Sequence, residues 1–263
     1  MRSLGSAYPP DWRRLLRQPA RAIAVLFALA FSTPNAVAQD GAVRSTGTHL
    51  GLLGQARPAG IFGAPEISLG KPEDVRQWDD FRRRYEGEKA ILDRCVTNPK
   101  QCPNAATQRW SLFLASQRQK PRSDQIEAVN RYVNGAVAHD SDANVYGLSD
   151  YWATPLEFLE RTGDCEDFAI LKFVSLLYLG FANDEMRLVI ALDRSRNIGH
   201  AVLAVRHLSD EEILDTSYTT IWPASLIADY APEYSLNLTT RWAHFPLGVN
   251  PGQILAQSRP TSN

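Results

Sequence analysis

The sequence predicts an α+β protein in which a buried helix packs on an antiparallel sheet and further helices lie on its N-terminal side. Three patterns support this class: apolar residues at helical spacing in the N-terminal half, an apolar run at 168–179, and short β-rich runs after it. With 22% charged and 44% hydrophobic residues, the composition is typical of a globular protein.

Two amphipathic helices are predicted in the N-terminal half. From Glu73 onward, apolar residues recur every three to four positions among charges, which is the spacing of one helix face; they are Val75, Trp78, Phe81, Tyr85, Ile91 and Leu92. A second stripe follows Ser123, which we interpret as the N-cap, and consists of Ile126, Val129, Tyr132, Val133, Ala136 and Val137.

The third helix differs from the first two because Phe168–Leu179 is apolar almost all round and ends at Gly180. A helix without a polar face is expected to be central and buried. Three short β-rich runs follow it, at Arg187–Leu192, His200–Arg206 and Ile213–Asp215. We predict that they form antiparallel strands stacked on that helix.

The first 38 residues have the features of a secretory signal. Four arginines at positions 13, 14, 17 and 21 precede the apolar run Ala22–Phe31, and Ala36–Ala38 supplies the small residues of a cleavage site. The run of ten residues is shorter than the roughly 18 to 20 that span a bilayer as a helix. We therefore predict no stable membrane span and release into an oxidising compartment, which in a Gram-negative bacterium is the periplasm.

The remaining chain divides into a predicted domain and two polar ends. Residues 39–60 are rich in Gly, Ala, Ser and Pro and are expected to form a flexible segment. Packing is expected to begin near Ile61 and to continue through a single domain at 61–247, followed by a flexible tail at 248–263.

The charge of the chain argues against nucleic acid as a partner. The 28 basic and 29 acidic residues give a net charge of −1, so no whole-chain basic field exists to hold phosphates. Loss of residues 1–38 removes five arginines and one aspartate and leaves a net charge of −5. The mature protein is expected to be mildly acidic.

The three cysteines fall into a close pair and a single residue. Cys95 and Cys102 are seven positions apart, and in an oxidising compartment we favour a disulfide between them over two reduced thiols. Cys165 then remains free.

Cys165 directly precedes the apolar helix, where backbone N–H groups and the helix dipole favour a thiolate. The flanking acids Asp164, Glu166 and Asp167 oppose that charge. Either these acids are N-terminal caps that point away from the sulfur, or a cation neutralises them.

A thiolate nucleophile needs a base, and the base needs an orienting group. His200 opens an apolar strand, and Asp215 ends the next short strand, so the two can meet in adjacent antiparallel strands. The papain/transglutaminase-like core has the same order of elements, with a cysteine on a helix, a histidine on a strand and an aspartate on the next strand. This likeness is an analogy at the level of the fold.

Two further features are candidates for parts of a metal site or of the active-site cleft. Asp140–Tyr146 matches the first side-chain positions of an EF-hand loop but lacks its later Gly and Glu, so we interpret it as a turn. Trp152 either lines the cleft or belongs to the core.

Four segments together resemble the bacterial transglutaminase-like cysteine proteinases: Asp150–Phe158, Gly163–Lys172, His200–Leu203 and Leu214–Asp215. The resemblance covers about residues 61–247 and is densest from 150 to 215. It implies that Cys165 is the nucleophile, His200 the base and Asp215 the orienting acid.

The resemblance also implies a calcium site that uses Asp164 and Glu166. A cation at that site would offset the negative charge of the acids beside the thiolate. It implies a protein substrate, the N-terminal region of a large surface adhesin, and hence a role in biofilm attachment. The implied regulator is an inner-membrane cyclic di-GMP receptor that sequesters the protease.

The chain departs from the family pattern in two places. Residues 95–121 look like an insertion relative to the compact core, and Thr216 stands where an Asn is expected after the orienting acid. The resemblance therefore predicts the catalytic chemistry of this chain more firmly than it predicts the substrate.

Three alternatives remain open from the sequence. Transglutaminase-type acyl transfer uses the same triad and differs only in whether an amine or water resolves the acyl-enzyme. A calcium-dependent binding module would carry the same residues without catalysis. A zinc site formed by the triad residues would have one soft ligand and no close-spaced His pair.

Overall fold

The computed structural model describes residues 60–208 and 210–246. The predicted signal peptide at 1–38, almost all of the predicted flexible segment at 39–60, and the predicted tail at 248–263 lie outside the described residues. Within the described ranges, none of the helices has the length and apolar character needed to cross a membrane.

Within the described residues, six α-helices precede most of the strands along the chain. They are α1 (Arg76–Thr97), α2 (Ala105–Gln117), α3 (Arg122–Ala136), α4 (Asp142–Val145), α5 (Pro155–Glu160) and α6 (Cys165–Tyr178). The two predicted amphipathic helices correspond to α1 and α3, and the predicted apolar helix corresponds to α6.

The described strands form one seven-stranded antiparallel sheet with the order β1-β7-β6-β2-β3-β4-β5. Its strands are β1 (Glu66–Gly70), β2 (Met186–Asp193), β3 (Ile198–His207), β4 (Asp210–Leu214), β5 (Trp222–Pro223), β6 (Tyr230–Leu236) and β7 (Arg241–His244). The three predicted β-rich runs are β2, β3 and β4, so the predicted antiparallel sheet is confirmed.

Helix α6 is the centre of the fold, as its composition predicts. It packs against β2 and β3 on one side and against α3 and α5 on the other. Ten consecutive residues, 167–176, are buried. The helix stops because Gly180 adopts a positive φ of 92°, a conformation that glycine enters without the steric cost of a Cβ.

Side-chain hydrogen bonds connect the outer helices to this centre. Trp110 of α2 donates through Nε1 to the Ser175 hydroxyl of α6, at 2.8 Å, and both side chains are fully buried. Trp78 of α1 donates to the carbonyl of Asn237, at 3.2 Å, just after β6. Buried indole rings whose N–H groups are hydrogen-bonded hold the outer helices against α6 and the sheet.

One local expectation needs correction. Ser123 is not the N-cap of α3, because the helix begins one residue earlier and Pro121 occupies the cap position without a side-chain bond. Residues 95–121, interpreted as an insertion without an assigned element, contain α2, whose Trp110 and Leu114 are buried in the core. The predicted disulfide between Cys95 and Cys102 is present and ties the end of α1 to the segment before α2.

Candidate active site

Cys165 is the first residue of α6, as the sequence predicts. Its thiol is half-buried and donates to Glu166 Oε2 at 3.2 Å. The backbone N–H of Ala201 in β3 acts on the sulfur to lower the pKa of the thiol. The sulfur therefore lies against the strand at the residue next to His200. The start of the helix supplies the free backbone N–H groups and the positive dipole end that favour negative charge.

His200 and Asp215 meet across adjacent strands. Leu203 of β3 pairs with Leu214 of β4. Asp215 follows β4 and therefore lies toward the end of β3 that contains His200. The distance from His200 Nε2 to Asp215 Oδ1 is 2.9 Å, and both side chains are buried. Because Nε2 is engaged by the carboxylate, Nδ1 remains the ring nitrogen that can exchange a proton with the thiol.

Tyr230 is a partner of Asp215 that the sequence analysis did not identify. Its hydroxyl donates to Asp215 Oδ2 at 2.5 Å, and the backbone N–H of Ser217 donates to Oδ1 at 2.7 Å. The ring of Tyr230 also packs edge-on against the His200 ring, with 5.6 Å between centroids. Tyr230 is the first residue of β6, which also contains Pro232. The sequence analysis found no motif in this strand.

These contacts keep Asp215 ionised. Burial alone would raise its pKa, but the hydrogen bond and charge of His200, with the bonds from Tyr230 and Ser217, hold the pKa well below its ordinary value. The hydroxyl of Tyr230 stays protonated, because burial and the neighbouring carboxylate raise its pKa. The carboxylate is thus a fixed acceptor that orients the imidazole.

Five acids gather around the start of α6. Ligand oxygens of Asp142, Asp164 and Asp167 lie within 4.8 Å of one another, and so do those of Asp142, Asp150 and Glu166. The sequence analysis predicted Asp164 and Glu166 as metal ligands and interpreted the segment containing Asp142 as a turn. Asp142 is instead the buried first residue of α4 and joins both groups.

Asp164 does not cap the helix through its side chain. Asp164 occupies the N-cap position of α6, but its side chain makes no capping hydrogen bond. Among the described residues, Oδ1 of Asp142, Oδ1 of Asp164 and Oδ2 of Asp167 are buried without a hydrogen-bond partner. Buried carboxylate oxygens without donors are strongly unfavourable, so the cap interpretation does not account for them.

Other contacts hold the remaining oxygens of the cluster in place. Asp142 accepts from the N–H of Tyr151 at 2.5 Å, and Asp167 accepts from the N–H of Ala153 at 2.6 Å. Trp152 is a core residue whose indole N–H donates to Asp150 at 3.0 Å. The orphaned oxygens are therefore on rigidly placed carboxylates.

Gly163 explains part of the Gly-Asp-Cys-Glu-Asp motif. A Cβ on this residue would lie 1.9 Å from Asp167 Oδ2, so a side chain here would displace the carboxylate. The glycine permits the backbone before α6 to approach an acid of the cluster.

Mutual repulsion governs the charges of this cluster. Burial, together with Asp164, raises the pKa of Asp142 to about 7. Burial raises the pKa of Asp164 above its ordinary value, although a hydrogen bond with Glu166 opposes that shift. Burial and the neighbouring acids raise the pKa of Glu166 and Asp167 well above ordinary values. Burial, followed by Glu166 and Asp164, raises the pKa of the Cys165 thiol well above its usual range. A cation among the carboxylates would reverse these effects.

The donor set fits a hard divalent cation. It consists of carboxylate oxygens in two groups that share Asp142, and oxygen ligands of this kind are the ones that calcium prefers. A zinc site made from the triad residues is not supported, because no metal-ligand group among the described residues combines Cys165 with His200 and Asp215.

One known protein family matches the part of the chain that contains these residues. The family described as bacterial transglutaminase-like cysteine proteinases matches residues 89–244. The chain belongs to this family. The matched range contains Cys165, His200, Asp215, Tyr230 and all five clustered acids, so the chain is a transglutaminase-like cysteine protease.

Solved structures of the family have the same fold. The calcium-bound structure of Legionella pneumophila LapG is 29% identical, with a TM-score of 0.52, and the match covers 63% of this chain and 96% of LapG. The EGTA-treated LapG structure is 31% identical, with a TM-score of 0.51, over 58% of this chain and 84% of LapG. None of the curated proteins compared with this chain matches it. The likeness to this family confirms the predicted α+β, transglutaminase-like class.

Proposed function

We propose that this protease is a periplasmic, calcium-dependent cysteine endopeptidase with Cys165, His200 and Asp215 as its triad. The proposal rests on the buried 2.9 Å hydrogen bond between His200 and Asp215, together with the free thiol of Cys165 at the start of α6. Membership of the cysteine proteinase family supports the same chemistry.

In the proposed reaction, His200 takes the thiol proton through Nδ1 as the sulfur of Cys165 attacks the scissile carbonyl carbon. The Cys165 backbone N–H stabilises the oxyanion of the tetrahedral intermediate. Collapse breaks the C–N bond, and His200 gives its proton to the departing amine. A water molecule, deprotonated by His200, then attacks the thioester and releases the new carboxyl end and the thiol.

Asp215 acts through the imidazole in this scheme. By accepting from Nε2–H it selects the tautomer whose Nδ1 is free to accept the thiol proton, and it stabilises the imidazolium that forms. Ser217 and Tyr230 fix the carboxylate from its other sides.

We propose calcium as the cofactor, held by Asp164 and Glu166 as the sequence predicts and also by Asp142, with Asp150 and Asp167 close by. When bound, the ion would supply the positive charge that offsets the acids around the thiolate. The support is the set of unpartnered carboxylate oxygens, together with the similarity to LapG, which has a calcium-bound structure.

The proposed substrate is an exported protein, with the N-terminal region of a large surface adhesin as the first candidate, so that cleavage regulates biofilm attachment. The proposed regulator is an inner-membrane cyclic di-GMP receptor. The family resemblance supports both, and the signal-like residues 1–38 support the periplasmic location.

The test compares the surface-protein fraction of the source bacterium after incubation with the mature wild-type chain or with Cys165→Ala, each with calcium or excess chelator. We expect a new protein fragment only with the wild type and calcium, identified by N-terminal sequencing. A fluorescent primary amine in the reaction separates the outcomes: incorporation into protein in place of hydrolysis identifies acyl transfer, and neither product from any fraction contradicts the proposal.

A further inference from the structure

Arg84 of α1 contacts the segment that joins α4 to α5. Its Nη2 donates to the carbonyl oxygen of Trp152 at 2.8 Å, and its Nη1 donates to Glu157 in the first turn of α5. The guanidinium carbon lies 4.4 Å from the centre of the Tyr151 ring, which is within cation–π range. Asp80, one turn earlier in α1, accepts from Nε at 2.9 Å. These contacts fix the guanidinium in one place.

The same segment holds two acids of the cluster. The backbone N–H of Tyr151 donates to Oδ2 of Asp142 at 2.5 Å, and the backbone N–H of Ala153 donates to Oδ1 of Asp167 at 2.6 Å. In the described part of the chain, the second oxygen of each acid is buried without a hydrogen-bond partner. The position of this segment therefore determines where the two unpartnered oxygens lie.

A single peptide group connects Arg84 to one of these acids. The carbonyl of Trp152 and the N–H of Ala153 are the two ends of one planar peptide unit. Its oxygen accepts from Arg84, and its N–H donates to Asp167. Any rotation of this plane moves both groups together. Hydrogen bonds in such a chain also polarise one another, so a cation on the oxygen strengthens the donor at the other end.

We propose that Arg84 is a positioning residue of the calcium site. Through the peptide between Trp152 and Ala153, and through the Tyr151 ring, it fixes the two N–H groups that hold Asp142 and Asp167. The inference rests on the proposed function, since Arg84 acts through acids that are proposed to surround the ion. An arginine kept only for its ion pairs would affect the stability of the protein equally with and without calcium.

The experiment compares Arg84→Met, which removes the charge and the donors, with Arg84→Lys, which keeps the charge. Arg83→Met is the matched control, because Arg83 is the next residue of α1, also pairs with Asp80, and has an exposed side chain. Three quantities are measured on the mature protein: the Kd for calcium chloride by titration calorimetry, the thermal midpoint in excess chelator and at one fixed calcium concentration, and the rate of Cys165 alkylation at saturating calcium.

We expect Arg84→Met to raise the Kd for calcium about tenfold. Groups that hold metal ligands by hydrogen bonds contribute about tenfold to a hundredfold to metal affinity, and Arg84 acts one bond further out. At the fixed calcium concentration, the midpoint of this variant should therefore rise less above its value in chelator than that of the wild type. Arg84→Lys should recover part of the affinity. Arg83→Met should keep the wild-type Kd.

The alkylation rate at saturating calcium separates positioning of the ion site from damage to the triad. It should equal the wild-type rate in Arg84→Met, because the acid cluster is then occupied in both proteins. The midpoint in chelator reports the loss of the ion pairs of Arg84 separately, and a lower value there is compatible with the inference only when the Kd also rises.

A wild-type Kd in folded Arg84→Met would overturn the inference, even if its midpoint in chelator is lower. If that variant does not fold, Arg84→Gln, which keeps one amide donor without the charge, is measured by the same criteria. Failure of the proposed function gives a different result, because the wild type itself would then take up no calcium in the calorimeter, and the inference would fall with it.

Discussion

The hydroxyl of Tyr230 donates a 2.5 Å hydrogen bond to Asp215 Oδ2, while His200 contacts the other carboxylate oxygen, Oδ1. The two partners lie on different elements, at the start of β6 and within β3. Asp215 is therefore held through both carboxylate oxygens, by Tyr230 as well as by His200.

Loss of this tyrosine hydroxyl should slow the enzyme without unfolding it. A hydrogen bond to a charged group is worth about 1.5–3 kcal/mol, so we expect Tyr230→Phe to lower kcat/KM about tenfold or more. The thermal midpoint should change little, because the ring still packs on His200 and Phe62. A kcat/KM equal to that of the wild type would show that His200 and Ser217 suffice to hold Asp215.

Calcium should control activity through the acid cluster. We expect excess chelator to lower activity, calcium to restore it better than magnesium, and Asp164→Asn, Glu166→Gln or Asp142→Asn to mimic chelation. Added calcium should also raise the thermal midpoint by binding the native state alone. The readouts are cleavage rate and melting temperature across a calcium titration.

Asp140→Asn is the matched control for that series. Asp140 lies two residues from Asp142, but it accepts hydrogen bonds from Ser141 and Asn144 and belongs to none of the metal-ligand groups found in the described chain. It should keep the wild-type response to calcium. Full activity and an unchanged melting curve in chelator would mean that the cluster is structural.

Processing and cysteine state form a third prediction. The mature chain recovered from the periplasm should begin near Gln39, with Cys95 bonded to Cys102 and Cys165 free. Intact mass and peptide mapping after alkylation without reduction report all three points. Alkylated Cys95 in that sample would contradict the disulfide, and retention of residues 1–38 would contradict the signal.

Acid sensitivity of the fold should depend on His244. Burial lowers its pKa to about 4, with Glu66 opposing and Arg187 adding to the shift. Below the unfolded value of about 6.5, the unfolded chain binds a proton that the folded chain excludes, so stability is constant above about pH 6.5 and falls toward pH 4. The loss from this group should be about 1–3 kcal/mol.

Denaturant melts of wild type and His244→Gln over this pH range check the assignment. The variant should show a shallower loss of unfolding free energy between about pH 6.5 and 4. His207→Gln, which changes a less buried histidine paired with Glu212, is the control. An equal slope in wild type and His244→Gln would assign the acid sensitivity to other groups.

Local patterns in the sequence were sufficient to predict the helix that begins at Cys165, the strand that contains His200 and the strand that ends just before Asp215. An apolar run must be buried, and strands that follow it in short succession pair with their neighbours. The triad candidates could be named because each lies in or directly after such an element.

The missed residues depend on contacts between distant segments. Asp142 joins Asp164 only because the turn before α4 returns to the start of α6, where Asp140 donates its N–H to the carbonyl of Gly163. Tyr230 reaches Asp215 across a stretch of 15 residues. Neither contact has a fixed spacing or a period, so no pattern in the chain marks it.

Selective alkylation of Cys165 tests its proposed role as the nucleophile. The calcium-loaded protein is treated with limiting iodoacetamide, and the fraction of alkylated Cys165, measured by mass spectrometry, is compared with the remaining cleavage rate at each time point. We predict that one alkyl group per chain, on Cys165, abolishes cleavage, with activity falling in proportion to labelling. Cleavage that persists when Cys165 is fully alkylated would contradict the mechanism.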